Sequence, residues 1–198
     1  MLPRIVCQFS CGAASAVATK LVLNQLGHVL EVAVVNALIK EEDEDNRRFL
    51  KDCEAWFGVP ITVLQDQKYG ASTMEVFRRE RYLKGRHGTP CSRALKRRVL
   101  DAWSKPGDVL VLGYTAEESD RYLTFQEEFP DAPAIAPLIE RGLTKNDTLA
   151  MIERAGIELP RMYRLGYQNA NCVGCVKGGQ GYWNRIRRDF PGQFQAMA

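Results

Sequence analysis

Arg4-Ile5-Val6-Cys7-Gln8-Phe9, running straight into Ser10-Cys11-Gly12-Ala13-Ala14-Ser15, is the stretch that decides the fold. Residues 4–9 are a short apolar strand, and 10–12 are a turn of small residues. The following residues, 15–26, predict a helix closed at Gly27, because glycine is a good C-terminal stop. Working outward, the same alternation recurs. Residues 31–39 are nearly continuously apolar, as expected for a strand buried on both faces. Residues 41–57 predict a helix that ends at Gly58-Val59-Pro60. Its opening run of Glu41, Glu42, Asp43, Glu44 and Asp45 reads mainly as capping charge at the positive end of the helix dipole.

A third strand is predicted at 61–64, two basic helices at 73–84 and 93–103, and a fourth strand at 108–113. A helix at 117–128, a short strand at 134–139 and a helix at 145–155 follow. Beyond residue 160 the chain is loop-rich, with one helix expected at 182–188. Strands that alternate with helices imply parallel pairing through right-handed crossovers. The expected fold is therefore α/β: an open, mostly parallel, Rossmann-like sheet with helices on both faces. No repeat, low-complexity tract or linker interrupts it. A single domain over 1–198 is expected, with a core of about 1–158 and a cysteine-containing C-terminal segment of about 159–198.

The 198 residues lie at the upper edge of one ordinary domain, about 100–200 residues. A composition of 45% hydrophobic and 26% charged residues argues for a globular protein and against a fibre or disordered tail. No run of about 18 uncharged apolar residues exists, which excludes a membrane helix. Lys20 interrupts the first apolar stretch, so an export signal is not expected either, and the expected location is cytoplasmic. Six cysteines in that setting read as thiols available for metal or redox chemistry rather than as a disulfide frame.

The net charge of +3 hides strong clustering. Nine basic residues (Arg78, Arg79, Arg81, Lys84, Arg86, Arg93, Lys96, Arg97, Arg98) lie in 78–98 against one acid, Glu80. Lys177, Arg185, Arg187 and Arg188 form a second cluster without an acid between them. Each is either a solvated helix face or a field for phosphates.

Three constellations carry candidate chemistry. In the first, the 10–15 turn sits where a parallel sheet binds ligands, beyond the carboxyl end of a strand. Its backbone N–H groups and helix dipole suit an anion, and Ser10 and Ser15 add hydroxyls. Neither G-x-x-x-x-G-K-[ST] nor G-x-G-x-x-G is present there, and small residues at such a turn also have a purely structural use.

The second is Cys172-Val173-Gly174-Cys175, with Cys91 of Thr89-Pro90-Cys91-Ser92-Arg93 as candidate third ligand. Zinc and iron–sulfur centres both use the C-x-x-C spacing. Cys7 and Cys53 read as core thiols, and Cys11 lies within the anion turn. Gly178-Gly179-Gln180-Gly181 is either a second anion site or a hinge. The third is Leu112-Gly113-Tyr114-Thr115-Ala116-Glu117-Glu118-Ser119-Asp120-Arg121, expected to face the same crevice as the first turn. Glu118 and Arg121 alone would be an ordinary i, i+3 pair. Two histidines, His28 and His87, and no G-x-S-x-G elbow leave an acyl-transfer triad little to stand on, and a histidine-ligated metalloenzyme little more.

In this order the pieces resemble the phosphoadenosine phosphosulfate (PAPS) reductase family, within the adenine-nucleotide α-hydrolase (PP-loop) enzymes. Ser10-Cys11-Gly12-Ala13-Ala14-Ser15 stands where the family has S-G-G-x-D-S, and residues 36–42 where its second strand meets the adenosine. Cys91-Ser92 through Lys96 resembles C-C-x-x-x-K, residues 113–121 resemble G-x-R-x-x-x-S, and Leu165-Gly166-Tyr167 through Cys175 resembles G-Y…C-x-x-C. The departures are specific. Cys11 replaces a glycine, Ala14 the loop aspartate, Thr115 an arginine and Ser92 a cysteine, and no cysteine follows Cys175. Sulfonucleotide reduction needs a thiolate to attack the sulfuryl sulfur, so the usual reductase reaction lacks its nucleophile.

The three remaining cysteines are similar to the three-cysteine clusters of PP-loop thiolation enzymes. What the resemblance implies is an ATP-binding, iron–sulfur-dependent sulfur transferase acting through an adenylated intermediate. Its [4Fe-4S] cluster would sit on Cys91, Cys172 and Cys175, with zinc as the alternative metal, and magnesium would accompany ATP or a related adenine nucleotide. Ser10, Cys11, Gly12, Ala13, Ser15, Asn36 and Gly113 would hold the nucleotide. Lys96 and Arg121 would be catalytic, and Arg93, Arg97, Glu118 and Lys177 would meet phosphate or substrate. Whether Glu117 or Glu118 compensates for Ala14 at a metal stays open. The acceptor would be a nucleic acid or a nucleotide at 78–98, served by a sulfur or electron donor protein. Two rivals stay open: a PAPS or APS reductase that borrows its thiol from Cys11 or an external partner, and a non-catalytic nucleotide or nucleic-acid binder.

Overall fold

The computed structural model describes residues 2–86 and 88–197, so His87 lies outside the described residues. The chain forms two compact units. The first contains residues 2–36, 45–63 and 104–160, and the second contains 37–44, 64–103 and 161–197.

The first unit is built on a five-stranded sheet in the order β3-β2-β1-β4-β5. The strands are β1 (Ile5–Gln8), β2 (Val32–Ala37), β3 (Ile61–Leu64), β4 (Val109–Val111) and β5 (Ala134–Ile135). β1 pairs in parallel with β2, Ile5 opposite Val32, and with β4, Ile5 opposite Val109; β4 pairs in parallel with β5. The α/β architecture with a parallel sheet flanked by helices is thus the expected one. The strand order reverses between β1 and β4, which makes the loops after these two strands the switch point of the sheet.

Helix α1 (Ala13–Leu26) buries Ala13, Ser15, Ala16, Val17, Ala18, Thr19 and Val22, so it is apolar nearly all round and carries one charge, Lys20. It packs on α2 (Asp45–Phe57), α6 (Pro137–Glu140) and α7 (Lys145–Arg154). Phe9 packs against Phe49 at a tilt and edge-on against Phe57, with ring centroids at 6.1 and 5.5 Å. Cys7 and Cys53 are core thiols, as expected: both are fully buried, and burial pushes Cys7 up to about 12. Arg4 and Asp108 clamp the starts of β1 and β4 through two hydrogen bonds of 2.9 and 2.6 Å.

Several boundaries differ from the sequence reading. The helix expected at 41–57 begins only at Asp45, because the preceding carboxylates have partners elsewhere. The strand expected at 134–139 stops at Ile135: Pro137 has no N–H for a ladder and instead starts α6. Residues 116–118 form a 3₁₀ turn before α5 (Ser119–Glu128).

The second unit carries α3 (Thr73–Glu80), α4 (Arg98–Trp103), α8 (Arg161–Arg164), α9 (Gln180–Asp189) and α10 (Pro191–Met197). α3 ends four residues earlier than expected because Arg81 turns into the left-handed region, φ 50°. Where a regular helix was expected from 93, Ser92–Arg97 is a π-helical segment leading into α4. Such segments are rare and concentrate at functional sites. Among the described residues no helix is long and apolar enough to cross a membrane.

The Arg4–Asp108 pair gives a test. Arg4 and a backbone N–H hold the Asp108 carboxyl below its ordinary value. A depressed carboxyl contributes stability that is fully present above its unfolded pKa and lost as pH falls through the folded one. Asp108→Asn is therefore expected to cost about 2 kcal/mol at pH 7. It should also flatten the acid side of the stability curve below about pH 4. Urea unfolding from pH 7 to pH 2.5 checks this; parallel curves for the two proteins would contradict it.

Candidate functional site

The turn after β1 is held by its own polar atoms. Ser15 Oγ donates to the Gly12 carbonyl at 2.9 Å, accepts from Ser10 N at 3.2 Å, and lies 3.1 Å from Ser10 Oγ. Gly12 caps α1 with extended backbone and no side-chain bond, and no acid lies in the first turn. The positive end of α1 is therefore not offset by a carboxylate of its own. Cys11 sits at φ 56°, a left-handed conformation that costs a non-glycine residue about 1–3 kcal/mol. The backbone thus keeps a conformation suited to glycine even though a side chain is present. Asn36, at the end of β2, donates to the Phe9 carbonyl at 2.8 Å, and its amide lies 3.6 Å from Cys11 Sγ. It is 4% exposed and braces the turn from below.

The loop after β4 meets this turn, as expected. A Cβ on Gly113 would fall 2.9 Å from Ser15 Cα and 3.0 Å from Ser15 N, so only glycine lets the two backbones approach so closely. Tyr114 follows, and the Arg121 guanidinium lies over its ring at 4.7 Å. Arg121 is also paired with Glu118, whose other oxygen closes a capping box on Thr115. Glu117 accepts from Lys145 N at 3.2 Å. Both acids are engaged in local capping and pairing.

The second unit gathers the three thiols. Cys91 and Cys172 pack against one apolar cluster of Ile39, Tyr69, Val76, Ala94 and Leu95. Burial pushes the Cys172 thiol up to about 12; Glu42 adds to this, Lys96 opposes it, and the nearby Cys175 and Cys91 raise it further. Lys96 Nζ lies 3.4 Å from Glu42 Oε1, so an ion pair adjoins the thiols. Cys91 Sγ is 3.4 Å from Thr89 Oγ1.

Among the described residues no group of three or more His, Cys, Asp or Glu is drawn together tightly enough to hold a metal ion. The three thiols are neighbours rather than corners of a preformed single-ion cage. As a donor set these half-buried thiols suit a soft metal or an iron–sulfur centre.

The basic residues behave unequally. Arg78 and Arg79 both bond Glu75, whose carboxyl they lower to about 2, and Glu80 bonds Tyr69 near Arg93 and Arg98. Arg81, Lys84, Arg86, Arg93 and Arg97 are exposed, as is Lys177 beyond the C-x-x-C turn. Sequence reasoning gave no role to Tyr114, quoted within its motif, or to Tyr182, at the start of an expected helix. The latter is seven residues past Cys175 and carries no motif signal.

No family model and no curated protein matches this chain. Among solved structures, it superposes on the U34-tRNA thiolase NcsA from Methanococcus maripaludis with its [4Fe-4S] cluster. The match has 12% identity and a TM-score of 0.49, covering 98% of this chain and 68% of that one. At that distance the likeness carries no argument, and the chemistry rests on the side chains above.

Gly113→Ala should force β4 away from α1 and cost about 1–3 kcal/mol. Thermal denaturation measures this; a variant as stable as the parent protein would contradict the close approach.

Proposed function

We propose that this protein is a nucleotide-dependent enzyme that transfers sulfur to a nucleic-acid or nucleotide acceptor, with Cys91, Cys172 and Cys175 holding an iron–sulfur centre. The observation that carries the reading is the sharing of one apolar cluster by Cys91 and Cys172, 81 positions apart in the chain, beside Cys175 and the Glu42–Lys96 pair. When bound, such a centre would supply an iron with an open position able to hold an extra sulfur, as an open zinc site holds a water or substrate.

The remaining roles belong to the chain. The N-terminus of α1, with Ser10, Cys11, Gly12, Ala13 and Ser15, receives the phosphates of ATP or a related adenine nucleotide, with magnesium if the nucleotide brings it. Gly113 keeps the opposite wall close, and Asn36 fixes the turn. An oxygen of the acceptor attacks the α-phosphorus, the bond to the bridging oxygen breaks, and pyrophosphate leaves. Sulfide-level sulfur from a donor then forms a bond to the acceptor carbon as the carbon–oxygen bond breaks and AMP departs. Within the first unit Arg121 offsets negative charge on the nucleotide phosphates; within the second, Lys96 stands beside the thiols through its pair with Glu42. Arg93, Arg97 and Lys177 bind substrate phosphates, and exposed Arg81, Lys84 and Arg86 suit a polyanionic acceptor.

A second reading has a specific observation in its favour. With Ala14 in place of the loop aspartate and Glu117 and Glu118 engaged by Lys145, Thr115 and Arg121, a binder without turnover fits the first unit equally well.

Anaerobic purification with iron, zinc and sulfide analysis, joined to assays of pyrophosphate release with RNA and nucleotide acceptors, tests the proposal. Iron and sulfide are expected in the parent protein. Cys91→Ser should lose most of both and abolish sulfur transfer while retaining nucleotide binding. Zinc without sulfide would defeat the sulfur-transfer reading. Tight binding without pyrophosphate release, unchanged by Cys91→Ser, would favour the binder.

A further inference from the structure

The C-x-x-C turn is fixed by a group outside the motif. The Tyr182 hydroxyl accepts from Gly174 N and Cys175 N, each at 3.0 Å, and donates to the Cys172 carbonyl at 2.7 Å. One phenol offers one donor and two acceptor positions, so all its capacity is spent on this turn. The ring that carries it is itself locked. It lies edge-on to Tyr167 at 5.8 Å and to Trp183 at 6.0 Å, and Tyr167 is bonded to Asp189 at 2.9 Å.

Two more contacts complete the brace. Val173 N donates to the Glu41 carbonyl at 2.8 Å, on the opposite side of the motif from Tyr182 in sequence. Gly174 has φ 79°, the left-handed region that favours glycine, and it packs under the Met197 thioether, whose Sδ would lie 2.1 Å from a Cβ placed there. Every residue of the four-residue turn is therefore restrained by backbone bonding or close packing from outside it.

We infer that Tyr182 is a positioning residue that sets the Cys172–Cys175 turn in its receptive form before any metal arrives. The inference rests on the reading of Cys172 and Cys175 as metal ligands. A turn ordered in advance spares the binding step the cost of ordering it, and a site loosened by about 1 Å loses most of that benefit.

The test compares the parent protein with Tyr182→Phe, which keeps the ring and removes only the hydroxyl. In metal-free protein, iodoacetamide alkylation is followed cysteine by cysteine by mass spectrometry. Cys172 and Cys175 are expected to react at least about fivefold faster in the variant, with Cys91, which Tyr182 does not touch, unchanged. In reconstituted protein, loss of iron and sulfide to a chelator should accelerate by a similar factor. Equal alkylation rates at all three cysteines would overturn the inference. So would uniform acceleration at all three, which would mark general loosening instead. If neither form takes up iron and sulfide, the sulfur-centre reading fails, and the alkylation pattern still decides the role of Tyr182.

Discussion

Three consecutive acids, Glu41, Glu42 and Asp43, hold the cysteine-bearing unit together. The Glu41 carboxylate accepts from Ser72 Oγ at 2.6 Å and from Thr73 N at 2.8 Å, capping α3, while its carbonyl receives Val173 N. Glu42 faces Lys96 and the Cys172 thiol. Asp43, almost fully buried, takes two hydrogen bonds from Arg161 at the start of α8. Segments that are far apart in the chain, 64–103 and 161–197, are thereby fastened to one short strip. The partners are charged side chains, backbone groups and one hydroxyl, in partly buried surroundings. Loss of any one leaves a desolvated charge behind, which is costlier than losing a surface pair.

The sheet-bearing unit solves a different problem by different means. Its candidate anion turn is shaped chiefly by backbone: a glycine N-cap, a left-handed Cys11, a buried Asn36 bracing a carbonyl, and Gly113 against Ser15. Small residues there serve close approach. The same smallness leaves the end of α1 without an acid of its own, so the dipole and the N–H groups at the turn favour an anion. Arg121, stacked on Tyr114 and tied to Glu118, is held in place on the adjoining loop.

The sheet and its order of elements were legible because buried parallel strands leave continuous apolar runs, and the helices between them leave charge on one side. Residues 5–8, 32–37 and 61–64 fall inside or on the predicted strands for that reason. The acidic run was misjudged because capping charge and long-range pairing look identical along the chain. Only the fold reveals that Glu41 caps α3 rather than α2. The π segment at Ser92–Arg97 was equally hidden, since a π turn and an α turn share a composition. Motif order pointed to Cys91, Cys172 and Cys175, yet the residues beside them, Glu42 and Tyr182, are of types common everywhere. Their roles are set by distance, which sequence spacing does not carry.

The account stands on the three thiols acting as one centre. The most direct measurement loads the full chain with iron and sulfide under anaerobic conditions and maps which of the six cysteines resist alkylation, against the metal-free protein. Loading is expected to protect Cys91, Cys172 and Cys175 together, with Cys7 and Cys53 unreactive throughout because they are fully buried. Protection of the C-x-x-C pair with Cys91 left as reactive as before would contradict it.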